Sequence, residues 1–470
     1  MGPMTESTVA GRAPRRKIEP NNRERSFSLD ELFFSTTDRK GVIRTCNDVF
    51  VRVSGMERSE LIGHAHNVVR HPGMPRSVFR LFWDALEARR SIAAYVMNLA
   101  ADGSHYWVMA SAAPVGEGYV SVRLKPTAEH FAVAREIYAD VRAVEQRIEG
   151  SDPRKRKEAI AAGAERLSEL LAQAGYPTYD DFMNAALPAE VTGREAALRG
   201  TERRDLAQVP ADAPAALAGI LRSCSAATGF LDGMVANLDR FRRLGEELAG
   251  RSQLVAELAG DIRLFSLNAI VASARLGGDG APLGVVAGEL RSCSDHAGPV
   301  IEELRGDIGE TVRVLGDLGF RTAAARLQTE MVATFVQDVL AEGAGADTVV
   351  EELNVLATCL DEGFARLLQA RTALDERVGT LSGNVRRVEG DLGVLRALEI
   401  NGRVEAARLG DTASVEALFH TIAEQVGAAR RDMAGFAEVS TLAAERDARA
   451  ERRAQEQVRA LARHAQAVAA

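Results

Sequence analysis

Two stretches of this chain repeat one another. LFSLNAIVASARLG (Leu264–Gly277) and ALEINGRVEAARLG (Ala397–Gly410) align without a gap on L/I-N-x-x-V-x-(A/S)-A-R-L-G, so that Asn268 matches Asn401 and Arg275 matches Arg408. Both lie in sequence dominated by Ala, Leu, Glu and Arg at helical spacing, and each copy ends in a turn: Gly277-Gly278-Asp279-Gly280 after the first, Gly410-Asp411 after the second. A further turn, GAGAD (Gly343–Asp347), falls between them. The pattern predicts four helical arms of about 60 residues, each about 90 Å long at 1.5 Å per residue. An up-down-up-down bundle lets arms one and three run the same way, which brings both copies to one end, where the small residues Ala272, Ser273, Ala274, Ala406 and Ala407 permit close approach. Residues 215–470 are therefore expected as an antiparallel, coiled-coil-like four-helix bundle of two hairpins in one chain, 215–342 and 349–470. Gly298-Pro299 and Gly316 to Gly319 are expected to kink or break the second arm.

The first part of the chain is of another kind. Phe33, Phe34, Phe50, Phe79, Phe82, Tyr95, Tyr106 and both tryptophans, Trp83 and Trp107, cluster there. Short strands are predicted at Leu32–Thr37 and Val42–Thr45, helices near Asp48–Ser54 and from Arg76 to Arg89, then strands at Ile92–Leu99, His105–Ala112 and Tyr119–Leu124, with Asp102-Gly103 turning the first pair. This is an antiparallel sheet with helices on one face. The fold class is α+β over residues 27–125, followed by a long all-α bundle. Residues 1–26 read as a disordered tail and 126–214 as a helical linker, in which Pro177 to Pro214 suggests only small helices. Sheet domain and bundle are expected to have separate cores.

Charge and cysteine usage narrow the function. With 58 Lys plus Arg against 66 Asp plus Glu, a net charge of −8, and no basic stripe, a nucleic-acid surface is not indicated. Cys46, Cys224, Cys293 and Cys359 form no C-x-x-C pair, which argues against a disulfide framework or zinc site and fits a reducing cytoplasm. No run reaches the roughly 18 to 20 apolar residues of a membrane span. A P-loop, a G-x-S-x-G elbow and an H-E-x-x-H helix are all missing, so the expectation is a transducer rather than an enzyme.

HNVVRHPGMP (His66–Pro75) concentrates ionisable and rigid residues in one short segment. An arginine offers a forked donor to phosphate, and Trp83 offers a ring for stacking; equally, Arg70 and His71 satisfy backbone carbonyls around a Pro-rich turn and Trp83 is core. Together with STTD (Ser35–Asp38), CNDVFVRVSG (Cys46–Gly55), Phe82-Trp83 and DGSHYWV (Asp102–Val108), this segment resembles the PAS domain of Aer-type aerotaxis transducers. The resemblance covers residues 33–125 and implies a bound FAD, contacted by Asn47, Arg70, His71, Trp83 and Asn98. Ile92 and Gly73 stand where the family has Trp and an acid. PAS domains also hold haem through one histidine, for which His64, His66, His71 and His105 are available. A third reading is a cofactor-free interaction module.

The two repeats resemble the tip of the cytoplasmic signalling hairpin of methyl-accepting chemotaxis proteins. The first copy keeps Asn268, Arg275 and, beyond the turn, Val285–Ala287, Glu289 and Arg291; the second keeps Asn401, Glu405 and Arg408, with FHTIAEQV (Phe419–Val426) further on. In that family each of two chains gives one hairpin, so this chain reads as a fused pseudo-dimer. The resemblance implies the chemotaxis histidine kinase and its coupling protein as partners at the tip, while PAS pairing would add a second copy of the chain. Glu246-Glu247, Glu302-Glu303 and Glu351-Glu352 read either as methylation sites or as solvated helix faces, the commoner origin of such pairs.

Overall fold

A computed structural model describes residues 18–199, 208–237, 277–342, 349–408, 413–434 and 448–468, with Phe436 and scattered positions from 240 to 275. The N-terminal unit carries five strands: β1 (Phe33–Asp38), β2 (Ile43–Cys46), β3 (Ile92–Leu99), β4 (His105–Val115) and β5 (Gly118–Leu124). They form one antiparallel sheet in the order β2-β1-β5-β4-β3. Between β2 and β3 lie α1 (Asp48–Ser54), α2 (Arg58–Leu61), a 3-10 turn (His66–Val69) and α3 (Arg76–Glu87). Asn47 starts α1 by accepting from Phe50 N, and Gly55 ends it in the left-handed conformation that glycine adopts without strain. This is the expected α+β unit.

Part of the expected tail is ordered. Residues 18–26 lie beside the β3–β4 turn, where Asn21 N donates to Gly103 O, Arg25 N to His105 O, and His105 N to Arg23 O. Gly103 is required there: its φ is +84° and a Cβ would come within 2.4 Å of Glu19 O. Residues 1–17 fall outside the described residues.

Beyond the sheet come α4 (Glu129–Glu149), α5 (Arg156–Gln173) and α6 (Tyr179–Leu198). Within the segment expected to hold small helices, Tyr179–Leu198 is one 20-residue helix that runs through Pro188. Its Thr178 and Asp181 form a reciprocal capping box, and Phe182, Met183, Ala186, Leu187 and Val191 are buried along it. Burial along so long a stripe outweighs the single hydrogen bond that proline removes.

The bundle follows as α7 (Ala215–Ala236), α8 (Ala281–Glu342), α9 (Val350–Arg408), α10 (Ala413–Ala434) and α11 (Ala448–Ala467). Packing is cyclic: α7 on α8, α8 on α9, α9 on α10 and α11, and α11 back on α7. α8 and α9 are antiparallel, as shown by Arg387 on Glu303 (3.0 Å), Arg377 on Glu310 (3.4 Å) and Gly363 against Gln328. The expected break in the second arm does not occur, since α8 is helical through Pro299 and the Gly316–Gly319 segment. Buried Leu290 and Ala297 before the proline and Ile301, Leu304 and Ile308 after it hold the helix to its neighbours on either side.

The sheet and bundle do not have separate cores. β4 and β5 are buried on both faces, and β4 reads as a nearly continuous apolar run. One face turns to α1–α3; against the other pack α6 and the inner ends of α8 and α9. Phe34 meets Phe335 of α8 edge to face at 5.4 Å, and Thr45 Oγ1 donates to Glu352 of α9. A single hydrophobic cluster runs from the sheet into the bundle.

Candidate functional site

Antiparallel register aligns one face of four strands. Ser35 and Thr37 of β1, Tyr119, Ser121 and Arg123 of β5, Ala110 and Ala112 of β4, and Ala94, Val96 and Asn98 of β3 all point the same way, as the two-residue strand period requires. Three of these are alanines, too short to reach the helices opposite. Between this face and Met74, Val78, Phe79, Phe82, Trp83 and Leu86 of the α3 region lies a cavity of about 270 Å³. Exposed Lys40 and Asn67 stand in its lining, whereas Asn98, Ser121 and Arg123 are buried.

Buried polar atoms are ordinarily hydrogen-bonded. Among the described residues Thr37 Oγ1, Asn98 Nδ2 and Ser121 Oγ have no partner, and all three residues line the cavity. Arg123, 5 % exposed, donates to Ser35 Oγ at 3.1 Å and to His66 Nε2 at 2.7 Å, and among the described residues it meets no carboxylate. Burial lowers its pKa to about 10, still far above neutrality, so the guanidinium remains charged. Because arginine only donates, His66 Nε2 must accept, which places the proton of the neutral ring on Nδ1. Burial first, then the neighbouring Arg123 charge, lowers the pKa of His66 to about 3. Arg70, also in the lining, lies 3.9 Å over the Phe79 ring. Burial brings its pKa to about 10, and its guanidinium likewise pairs with no carboxylate among the described residues.

The five residues implied by the PAS resemblance divide. Arg70, Trp83 and Asn98 line the cavity; Asn47 and His71 do not. The Asn47 side chain is consumed by the backbone, accepting from Phe34 N and Phe50 N and donating to Leu32 O. His71 Nδ1 accepts from Gly73 N, and its ring faces His105 at 5.9 Å. Trp83 stands edge to face with Tyr119 at 5.6 Å, over Gly41, where a Cβ would come within 2.6 Å of the indole. Sequence reasoning did not single out Thr37, Ser121 or Arg123, although alternation in YVSVRL, with polar residues at every second position of an apolar strand, carried the signal. Of the haem candidates, His66 alone is in the lining, and its Nε2 is already engaged.

On the opposite face the sheet is tied to α6. The buried Glu190 carboxylate accepts from Tyr95 OH (2.8 Å), from Thr127 N and Oγ1, and from Ala128 N. Burial raises the pKa of Glu190, and burial together with the adjoining Glu190 charge raises that of Tyr95. One turn on, Arg194, 1 % exposed, makes a two-pronged pair with Glu330 of α8 (3.0 and 2.8 Å) and donates to Leu29 O and Asp30 O. Arg326 joins Glu330, Glu195 and Asp232 to the same cluster.

At the far end of the bundle, Asn268, Arg275, Glu289, Asn401 and Arg408 are exposed; Glu405 is half-buried and pairs with Arg408 at 2.8 Å. Cys293 meets Asp391 O at 3.9 Å across α8 and α9, so the end of α9 with Asn401 to Arg408 lies beside the start of α8. The turn at Gly277–Gly280 joins that start to the first repeat, with Ser273 Oγ donating to Gly280 O. Both repeats therefore occupy one end. Glu302, Glu303, Glu351 and Glu352 lie in α8 and α9, with Glu303 and Glu351 paired to Arg387 and Arg44.

Comparison with known proteins agrees with this architecture at its N-terminal end. Residues 43–124 match the family described as the PAS fold. The aerotaxis receptor of Escherichia coli is 39% identical over 119 residues, covering 24% of this chain and 24% of the receptor. The chain thus spans about a quarter of the length of that curated relative. Among solved structures, the LOV domain of an Erythrobacter litoralis blue-light activated histidine kinase is 15% identical, covering 20% of this chain and 94% of that one at a TM-score of 0.19. A Rhodobacter sphaeroides LOV protein is 15% identical, covering 31% and 92%, at a TM-score of 0.20. The N-terminal unit is a PAS domain, and it is followed by long helices. Among the described residues no helix is long and apolar enough to cross a membrane.

Proposed function

We propose that this chain is a PAS-based signal transducer in which FAD, held in the sheet cavity, reports redox or oxygen-linked state to the helical bundle. The observation that carries this reading is the cavity's incomplete polar lining. Three buried polar atoms without partners and an uncompensated guanidinium suit a planar, electron-rich ring with carbonyl and nitrogen edges. Trp83 and Phe82 supply aromatic wall, and Asn98, Thr37 and Ser121 supply hydrogen-bonding groups. A flavin supplies reversible electron uptake in such a site. The relative's name, aerotaxis receptor, supports the same class of signal.

Relay follows from the shared sheet. Ser35 and Asn98 face the cavity, while the next positions on those strands and their neighbours, Phe34 and Tyr95, face α8 and α6. A change in what Asn98 or Ser35 bonds alters strands whose other face meets α6 through Tyr95 and Glu190 and α8 through Phe34 and Phe335, with Arg194 and Glu330 tying α6 to α8. Only an occupant with different contacts in its two states shifts such an equilibrium. The output end would be the tip carrying Asn268, Arg275, Glu289, Asn401, Glu405 and Arg408, engaging a chemotaxis-type histidine kinase and coupling protein in the cytoplasm. In this reading the chain is a transducer without catalysis of its own.

The absorbance spectrum of the purified full chain tests it. Flavin bands in the blue and near-ultraviolet are expected. A Soret band would favour haem, and protein absorbance alone, unchanged after incubation with FAD, would leave the PAS domain as an interaction module.

A further inference from the structure

We infer that Arg123, oriented by His66 and Ser35, is an anion anchor in the cavity lining, built to take the negatively charged or most electron-rich edge of the bound ring. This rests on the flavin reading above and adds the residue that selects the ligand's charge. Three observations converge on it.

First, Arg123 is buried and lacks a countercharge among the described residues, a state that costs stability unless a partner completes it. Among the described residues its forked donors hydrogen-bond only to Ser35 Oγ and His66 Nε2, both neutral. Second, the fork is held in place. His66 stacks on Phe50 at 5.7 Å with an interplanar angle of 18°, and its Nε2 accepts from Arg123 while Ser35 Oγ stands 3.1 Å away. A ring that must accept at Nε2 fixes where the guanidinium points. Third, Ser121, one strand period from Arg123, has an unpartnered hydroxyl in the same lining. Lys40, exposed in the lining, would be left for a phosphate-bearing tail, whereas the buried guanidinium is placed for the ring.

The test uses the full chain, stripped of any bound flavin, with FAD as the probe. Arg123→Met should bind FAD about tenfold or more weakly, the loss expected for one charge-assisted hydrogen bond. The stripped Arg123→Met protein should melt at the same temperature as stripped wild type or higher, because an apolar side chain replaces a lone buried charge. Arg123→Lys keeps the charge and loses the fork, and should fall between the two in affinity. Equal FAD affinity in wild type and Arg123→Met, or equal losses in the Lys and Met variants, would overturn the anchor. So would a stripped Arg123→Met protein that melts below stripped wild type, which would make Arg123 a structural tie. Wild-type protein that takes up no FAD would overturn the flavin reading before any substitution is made, and this inference with it.

Discussion

His66 shows how a single side chain couples the cavity to stability. Folding lowers its pKa from 6.5 to about 3, so as pH falls below 6.5 the unfolded chain gains a proton that the folded chain refuses. Cofactor-free protein should therefore lose stability progressively between pH 6.5 and 3. In His66→Gln, whose amide carries no titrating proton, the melting temperature should fall less over pH 7 to 5; parallel curves for the two proteins would contradict the neutral ring. Asn98 makes a second case. Asn98 is 3 % exposed and among the described residues its Nδ2 has no partner; such a group bonds a ligand or is orphaned at a cost. Asn98→Leu, similar in size and apolar, should retain the melting temperature of stripped protein but bind FAD about tenfold less well, measured by fluorescence titration. The PAS resemblance led to Asn98, Arg70 and Trp83, which stand in the cavity lining. It pointed equally to Asn47, whose amide caps α1 and bonds β1, and to His71, whose ring turns toward His105. Motif position says that such residues matter without saying which group they serve.

Among the elements, α6 departs furthest from expectation. A proline at 188 and others nearby suggested interrupted structure, yet the helix is continuous, because long-range burial of Glu190 and Arg194 is invisible to local pattern. These two residues join sheet to bundle: Glu190 takes Tyr95 and the start of α4, and Arg194 takes Glu330. Removing one member of a buried pair leaves the other uncompensated, so Arg194→Ala should destabilise the protein by about 3–5 kcal/mol. Denaturant unfolding checks this, and a change below 1 kcal/mol would mean that the pair is dispensable. The strands, in contrast, were legible to within a few residues, since a turn at Asp102-Gly103 and alternating cavity-facing positions mark them locally. What alternation concealed was the second buried face. The nearly continuous apolar run of β4 was the clue that another layer packs there.

For the molecule as a whole, the internal repeat was sufficient to place four arms and their common end, because connectivity and antiparallel packing leave few alternatives. It did not reveal that the opposite end of the bundle rests on the PAS sheet through Phe335 and Glu352, and on α6 through Glu330. Spin labels at Arg275 and Arg408 should report an intrachain distance of about 10–20 Å, one to two helix diameters, unchanged on dilution. A separation of several tens of ångströms would contradict the single-chain bundle. The central claim is that the state of the cavity passes through a shared sheet into α6 and α8. Hydrogen exchange, compared between the oxidised and the chemically reduced full chain, reads this directly. Protection should change in α6 around Glu190 to Arg194 and in α8 around Glu330 to Val336, as well as in β1 and β3. A change confined to the cavity lining, with identical exchange in α6 and α8, would contradict the account.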